Sequence, residues 1–213
     1  LLPNGEGLSS IDTKPIQVRN ALPGESVSAR ILKKRKGIKY SDAIEIKTSS
    51  EVRKEPSCQY FPRCGGCSML HMQPDAEIEL KQRKLLSDLR ENEIVFAEIL
   101  KPVAKNFLGY RRKARLGVKC LGDQVLVGFR ESFRSRVARS DHCQILTPRL
   151  SSLIRQLQEL ISLCSVKNHI PQVELAEGDD GIALIVRHLK DFSDSDLALW
   201  QGFSEKMRVS VFC

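Results

Sequence analysis

A mixed fold in three segments is predicted: a small all-β barrel over residues 1–55, a cysteine loop and helix over 56–101, and an α+β domain with an antiparallel sheet over 102–213. Three observations predict it. Short alternating strands lie between Gly and Pro turns in the first segment, three cysteines crowd one loop in the second, and hairpins are separated by helices in the third.

In the first segment, G-E-G at Gly5–Gly7 and L-P-G-E at Leu22–Glu25 are turn signals. Val27, Ala29 and Ile31 alternate with polar residues as a strand. K-K-R-K-G at 33–37 reads as a basic hairpin tip, and Ala43, Ile44 and Ile46 as the returning strand. So many short strands in so few residues resemble the oligonucleotide-binding barrel. In the second segment, Pro74 and Asp75 open a helix carrying Ile78, Leu80, Leu85, Leu86 and Leu89, and Pro102 marks the next break.

In the third segment, Ala114, Leu116 and Val118 form a strand, and Val125, Val127 and Phe129 a second across a Gly122–Asp123 turn. Pro148 opens a helix ending near Cys164. Val173 and Leu175, then Ile182, Leu184 and Val186, are strands around G-D-D-G. Ser193 caps a helix to about Lys206, and Val209–Phe212 is a final strand.

Cys58, Cys64 and Cys67 stand in the run C-Q-Y-F-P-R-C-G-G-C, and Cys143 follows at a distance. Thiolates grouped this tightly hold an iron–sulfur cluster or a metal ion. Gly65 and Gly66 are read as letting the backbone turn through positive φ around the sulfurs. A redox pair is disfavoured because C-G-G-C follows a Pro-containing loop rather than opening a helix. Disulfides are disfavoured by seven cysteines, an odd number, and by the absence of a signal peptide. Zinc is the rival, with one distant cysteine and His142 beside it in place of a second knuckle; the spacing favours iron–sulfur.

The formal net charge is +8, which favours an anionic partner. Arg30, Lys33, Lys34, Arg35, Lys36 and Lys39 occur without an acid among them, as do Lys105, Arg111, Arg112, Lys113, Arg115 and Lys119; acids collect at Glu174, Glu177, Asp179, Asp180, Asp191, Asp194 and Asp196. This segregation points to a nucleic-acid face. Candidate RNA contacts are Lys33, Lys34, Arg35, Lys36, Lys39, Arg111, Lys113 and Arg115, with Tyr110 or Phe107 to stack on a base and Arg112 as the structural arginine. No stretch is apolar enough to span a bilayer, so no membrane partner is expected.

C-x₅-C-G-G-C followed by His71, then G-Y-R-R-K-A-R-L at 109–116, G-F-R at 128–130 and D-H-C-Q-I-L at 141–146 resembles the bacterial uracil-5 RNA methyltransferases, in particular the branch with an N-terminal TRAM domain that acts on 23S ribosomal RNA. The resemblance runs from the L-P-G-E turn to the end of the chain. It implies that residues 1–55 are the TRAM-like domain and that Cys58, Cys64, Cys67 and Cys143 hold a [4Fe–4S] cluster. Cys120, Cys164 and Cys213 match no ligand position and are read as buried small hydrophobes.

In that family a C-terminal domain binds S-adenosyl-L-methionine. A cysteine there adds to the uracil ring beside carbon five, so that this carbon accepts the methyl group. No glycine loop after a strand and no cysteine in a matching context occur in this sequence. No catalytic residue is therefore assigned to this chain, and the cofactor site is expected outside it. Leu1 is not a methionine and Cys213 follows an apolar run, so both ends read as cut.

Three other readings stand beside this one. A radical enzyme using the same cofactor is disfavoured by the five-residue first gap and the available fourth thiolate. A non-enzymatic RNA-binding module with a zinc or iron–sulfur site, and a transfer-RNA uracil-5 methyltransferase, stay open. The expected setting is a cytoplasmic monomer bound to 23S ribosomal RNA.

Overall fold

The first two strands are joined by a hairpin made without glycine. Strand β1 (Gly7–Ile11) turns into β2 (Lys14–Arg19) through Asp12 and Thr13, both at positive φ (50° and 64°). Two positive φ values in a two-residue loop are those of the hairpin turn that matches strand twist. Strands β3 (Ser26–Arg35) and β4 (Ile38–Thr48) repeat the device at Lys36 (φ 48°) and Gly37 (φ 80°). The computed structural model describes all 213 residues. It divides into two units: Leu1–Pro62 with Cys67–Lys105, and Arg63–Gly66 with Asn106–Cys213.

In the first unit the four strands form one sheet in the order β1-β2-β4-β3, with β2 and β4 parallel. The sheet is open, with β1 and β3 as edges, and so corrects the expected barrel. Four strands give too little circumference to enclose side chains. The register shifts between Ser26/Val27, Ser28/Ala29 and Ile31/Lys33 bend β3 without bringing it to β1. One face buries Ile16, Val18, Ala21 and Ala43, and a second small cluster gathers Leu22, Met72 and Leu80.

A buried ion pair organises the rest of this unit. Arg53 Nε and Nη2 donate to the Glu25 carboxylate at 2.5 and 2.7 Å, and Leu22 and Ser50 donate their N–H groups to the same carboxylate. The Glu25 side chain has no exposure. Burial raises its pKa, but the Arg53 guanidinium and the two backbone donors more than offset that and hold it below the usual carboxylate value. Helix α1 (Pro74–Glu91) starts on a proline, with Asp75 and Glu77 in its first turn and Arg90 in its last, as the helix dipole favours. Only Leu80 of its apolar residues is fully buried, and Leu85 is exposed.

The second unit is a five-stranded sheet, ordered β6-β5-β7-β8-β9, with two helices. Its strands are β5 (Lys113–Leu121), β6 (Gln124–Gly128), β7 (Gln172–Glu177), β8 (Ile182–Arg187) and β9 (Val209–Phe212). Helix α2 (Pro148–Leu163) is capped by Thr147, and α3 (Asp194–Met207) by a Ser193–Asp196 capping box. The sheet is mixed, correcting the antiparallel expectation. β9 pairs parallel to β8 because α3 carries the chain back between them. Alternate residues Ala114, Leu116, Val118, Val173, Leu175, Leu184 and Val186 pack on Leu150, Ile154, Leu157, Ile161 and Trp200 in one core. The opposite face carries Lys113, Arg115, Glu174, Ile185 and Arg187.

Candidate functional site

The cysteine loop is built from tight backbone approaches. Arg63–Gly66 lies in the second unit, where Gly65 N donates to Arg130 O at 2.9 Å and Cys64 bridges to Glu131. Arg63 Nε pairs with the buried Glu131 carboxylate at 2.6 Å. A Cβ on Gly65 would stand 2.7 Å from Arg130 O. One on Gly66 would meet the Phe129 ring at 3.0 Å and Cys64 Sγ at 3.5 Å. Neither glycine has positive φ. The two glycines are therefore required by close approach, which corrects the positive-φ expectation.

Cys143 is half-buried against the second unit's core, and its N–H donates to Ser151 Oγ at 2.9 Å. His142 beside it is exposed, with Nδ1 2.8 Å from an Asp141 oxygen. Cys58 and Cys67 are half-buried in the first unit, where Cys58 O accepts from Phe61 N at 3.1 Å. None of the seven cysteines is in a disulfide.

Thiols are the donor type that holds an iron–sulfur cluster or a soft metal ion. As the chain is placed, no three His, Cys, Asp or Glu side chains gather into a group that could hold a metal ion. Cys164 is buried and Cys120 half-buried, as small hydrophobes are; burial pushes the Cys164 thiol up to about 11. Cys213 departs from that expectation, being exposed just past β9.

The basic residues fall on two surfaces, one in each unit. On the β3–β4 hairpin, Lys33 Nζ lies over the Tyr40 ring at 5.1 Å, and Lys34 stands directly opposite Lys39. Arg35 and Lys36 are exposed at the tip. Like charges directly opposite on a ladder are destabilising, so this pair costs stability unless an anion lies against it.

At the start of β5 the roles of two arginines are reversed. Arg112, expected to be structural, is half-exposed and pairs with the exposed Asp179 at 2.8 Å. Arg111 is the held residue: its guanidinium sits 4.9 Å from the Phe129 centroid and its Nε donates to Lys113 O. Lys113 and Arg115 are exposed on the open face of the sheet. The separation of acids from bases along the sequence is not kept in space. β7 runs beside β5, so Arg115 meets Glu174 at 3.8 Å, and Arg187 meets the same carboxylate at 3.2 Å. Arg187 was missed because only the β5–β7–β8 register brings it to this group. Tyr110 and Phe107 are both exposed.

No protein-family profile matches the chain. Its sequence is similar to a class of curated enzymes, the RNA uracil-C5 methyltransferases. It is 37% identical over 211 residues to the 23S rRNA (uracil(1939)-C(5))-methyltransferase RlmD of Hahella chejuensis, covering 98% of this chain and 47% of that protein. With the enzyme of the same name from Thiobacillus denitrificans it is 38% identical, covering 98% of this chain and 49% of the relative. The chain thus spans about half the length of the curated relatives it matches. The fold is similar to that of the crystal structure of Pyrococcus abyssi tRNA (uracil-54, C5)-methyltransferase in complex with S-adenosyl-L-homocysteine. The TM-score is 0.58 at 19% identity, over 92% of this chain and 49% of that one. No helix is long and apolar enough to cross a membrane.

Proposed function

We propose that this chain is the RNA-binding and cluster-binding part of an S-adenosyl-L-methionine-dependent methyltransferase acting on uracil C5 of 23S ribosomal RNA. The observation that carries the reading is identity of 37% along nearly the whole chain to enzymes named for that reaction. In this reading residues 1–55 are the TRAM-like RNA-binding segment, 56–101 the cysteine loop and helix, and 102–213 the central domain. Methyl transfer itself and the S-adenosyl-L-methionine site belong to sequence outside this chain. The setting is the cytoplasm, where a monomer meets its RNA.

Cys58, Cys64, Cys67 and Cys143 are proposed to hold a [4Fe–4S] cluster. Thiol chemistry and the loop spacing support this. With four thiolates bound no iron is open to substrate, so the cluster's contribution is to hold the loop rather than to react. The basic hairpin Lys33, Lys34, Arg35, Lys36 and Lys39, and the strand residues Arg111, Lys113 and Arg115, are proposed to contact phosphates. Arg111 is held by the protein itself, against the Phe129 ring and through Lys113 O. Exposed Tyr110 and Phe107 are candidates to stack on unpaired bases.

Disruption of the gene encoding this chain should remove 5-methyluridine from 23S RNA and leave it in transfer RNA, as read by mass spectrometry of the separated RNAs. Loss from transfer RNA alone would replace the substrate with the alternative one. Loss from neither would contradict the enzymatic reading.

A further inference from the structure

The stretch F-R-E-S-F-R-S-R-V-A-R-S from Phe129 to Ser140 holds four arginines and one acid, Glu131. None of these arginines belongs to the basic hairpin or to the start of β5. Glu131 is turned inward. Its carboxylate is buried and pairs with Arg63 at 2.6 Å, while Arg134 reaches it at 4.0 Å. Arg63 thus joins the group, and Arg136 and Arg139 are exposed without an ion-pair partner. Asp141, the next acid along the chain, lies 2.8 Å from His142 Nδ1. Like charges gathered on one turn repel each other, and an anion laid against them relieves that cost.

The backbone fixes the turn from both sides. Gly117 and Gly128 stand opposite each other on β5 and β6 and form a slot for its returning limb. A Cβ on Gly117 would lie 2.9 Å from Val137 Cγ2, and one on Gly128 2.9 Å from Ser140 Oγ. Val137, Ala138 and Ser140 are buried in that slot. Ala138 N donates to Phe129 O at 2.9 Å and Glu131 N to Arg136 O at 2.8 Å. Arg130 Nη1 donates to Ser135 O at 3.0 Å and closes the tip. On the far side Gly65 N donates to Arg130 O at 2.9 Å and Ser132 N to Arg63 O at 3.3 Å. Three adjacent backbone segments therefore carry the five arginines. At the tip Phe133 is 40% exposed, at φ 58°. A bulky aromatic seldom adopts positive φ, and such strain clusters at sites that present a side chain to a partner.

We propose that this turn is a further RNA-binding element, in which Arg63, Arg130, Arg134, Arg136 and Arg139 surround Phe133, and that its ligand is an unpaired strand. This rests on the RNA-binding reading above. Guanidinium forks bond phosphate oxygens in pairs. The ring amid them stacks on a base, a face that a duplex keeps covered. The excess of cation over acid and the exposed ring together match a polyanion that also presents flat faces. Phe129, at the foot of the turn, carries the Arg111 guanidinium 4.9 Å from its centroid, so the element continues the proposed phosphate contacts at β5.

The test measures binding across salt concentrations to a single-stranded stretch of 23S ribosomal RNA, and to the same stretch as a duplex. Charge and stacking leave different signatures. Arg134→Gln with Arg136→Gln should weaken single-strand binding and make the slope of log affinity against log salt less steep by roughly 1.4. Phe133→Ala should weaken single-strand binding at least about fivefold at every salt concentration, with the slope unchanged, and should leave duplex binding as it was. All three side chains are exposed, so the urea midpoint should stay at the wild-type value in both variants. If wild type binds the single strand and either variant binds it equally well, the inference is overturned while the RNA-binding reading stands. Equal loss of single-strand and duplex binding in Phe133→Ala overturns the unpaired strand as ligand. Wild type that binds neither RNA removes the RNA-binding reading and this inference together.

Discussion

In the second unit twenty-two buried residues form one apolar cluster, which joins Leu150, Leu157 and Ile161 of a single helix with residues from all five strands of the sheet. In the first unit the buried apolar groups are a set of four and a set of three, and the best-sealed side chains there are polar: Glu25, bound by Arg53, and His71. The contrast teaches how each unit is held. A large core orders its own surroundings through burial at ~25 cal/mol per Å². A small one depends on polar bonds that lose their value if one partner is missing, and gains most from a bound group.

The sharpest break in the comparison is Arg53→Met. It leaves the Glu25 carboxylate buried without its cation and should cost about 3–5 kcal/mol, read as a fall in the urea midpoint. A cost below that of an exposed ion pair would show that the first unit does not rest on this link. In the second unit Leu157→Ala, at a position with no exposure, should cost about 2–5 kcal/mol by lost transfer energy and a cavity, by the same measurement.

Asp196 provides a pH-dependent contrast. Burial raises its pKa, but Ser165 and Ser193, each bonding through side chain and backbone, more than offset that and bring it to about 2 from an ordinary 3.8. The native carboxylate is thus easier to ionise than the unfolded one. Its contribution is complete above pH 3.8 and is lost as pH falls through about 2. Asp196→Asn should flatten that part of the acid-unfolding profile and lower stability at neutral pH. A variant with the wild-type profile would remove the capping box from the account.

The smallest effect on stability, and a large one on binding, is expected at the hairpin. Lys34→Ala with Arg35→Ala relieves the like-charge pair with Lys39, so stability should rise by a few tenths of a kcal/mol. Binding to a 23S RNA fragment should weaken, with the slope of log affinity against log salt reduced by roughly 0.7–0.9 per lost phosphate contact. Unchanged affinity at every salt concentration would reduce the hairpin to a solvated turn.

Elements with strong local patterns were legible in the sequence. Alternation at Ala114–Val118 and Ile182–Val186, Pro at the first turns of two helices, and Ser193 as a cap all reappear in the structure. Features set by pairing between distant segments were not. The hairpin at Asp12–Thr13 lacks the Asn-Gly or Asp-Gly signal, and Thr seldom adopts positive φ. Parallel pairing of β2 with β4 and of β8 with β9 leaves no local mark. At the site, the cysteine spacing was readable because it is local. The reason for Gly65 and Gly66 was not, since the atoms they avoid belong to Phe129 and Arg130. Arg111 and Arg112 exchanged roles for the same cause: which one is held depends on a ring eighteen residues away in sequence.

The central claim is that four cysteines bind one cluster, and iron analysis tests it most directly. Anaerobically purified wild type should be brown and hold about four iron and four sulfide per chain. Cys143→Ser should lose most of both, whereas Cys164→Ser should keep them. Iron and sulfide equal in wild type and Cys143→Ser, or a colourless wild type holding zinc, would contradict the account.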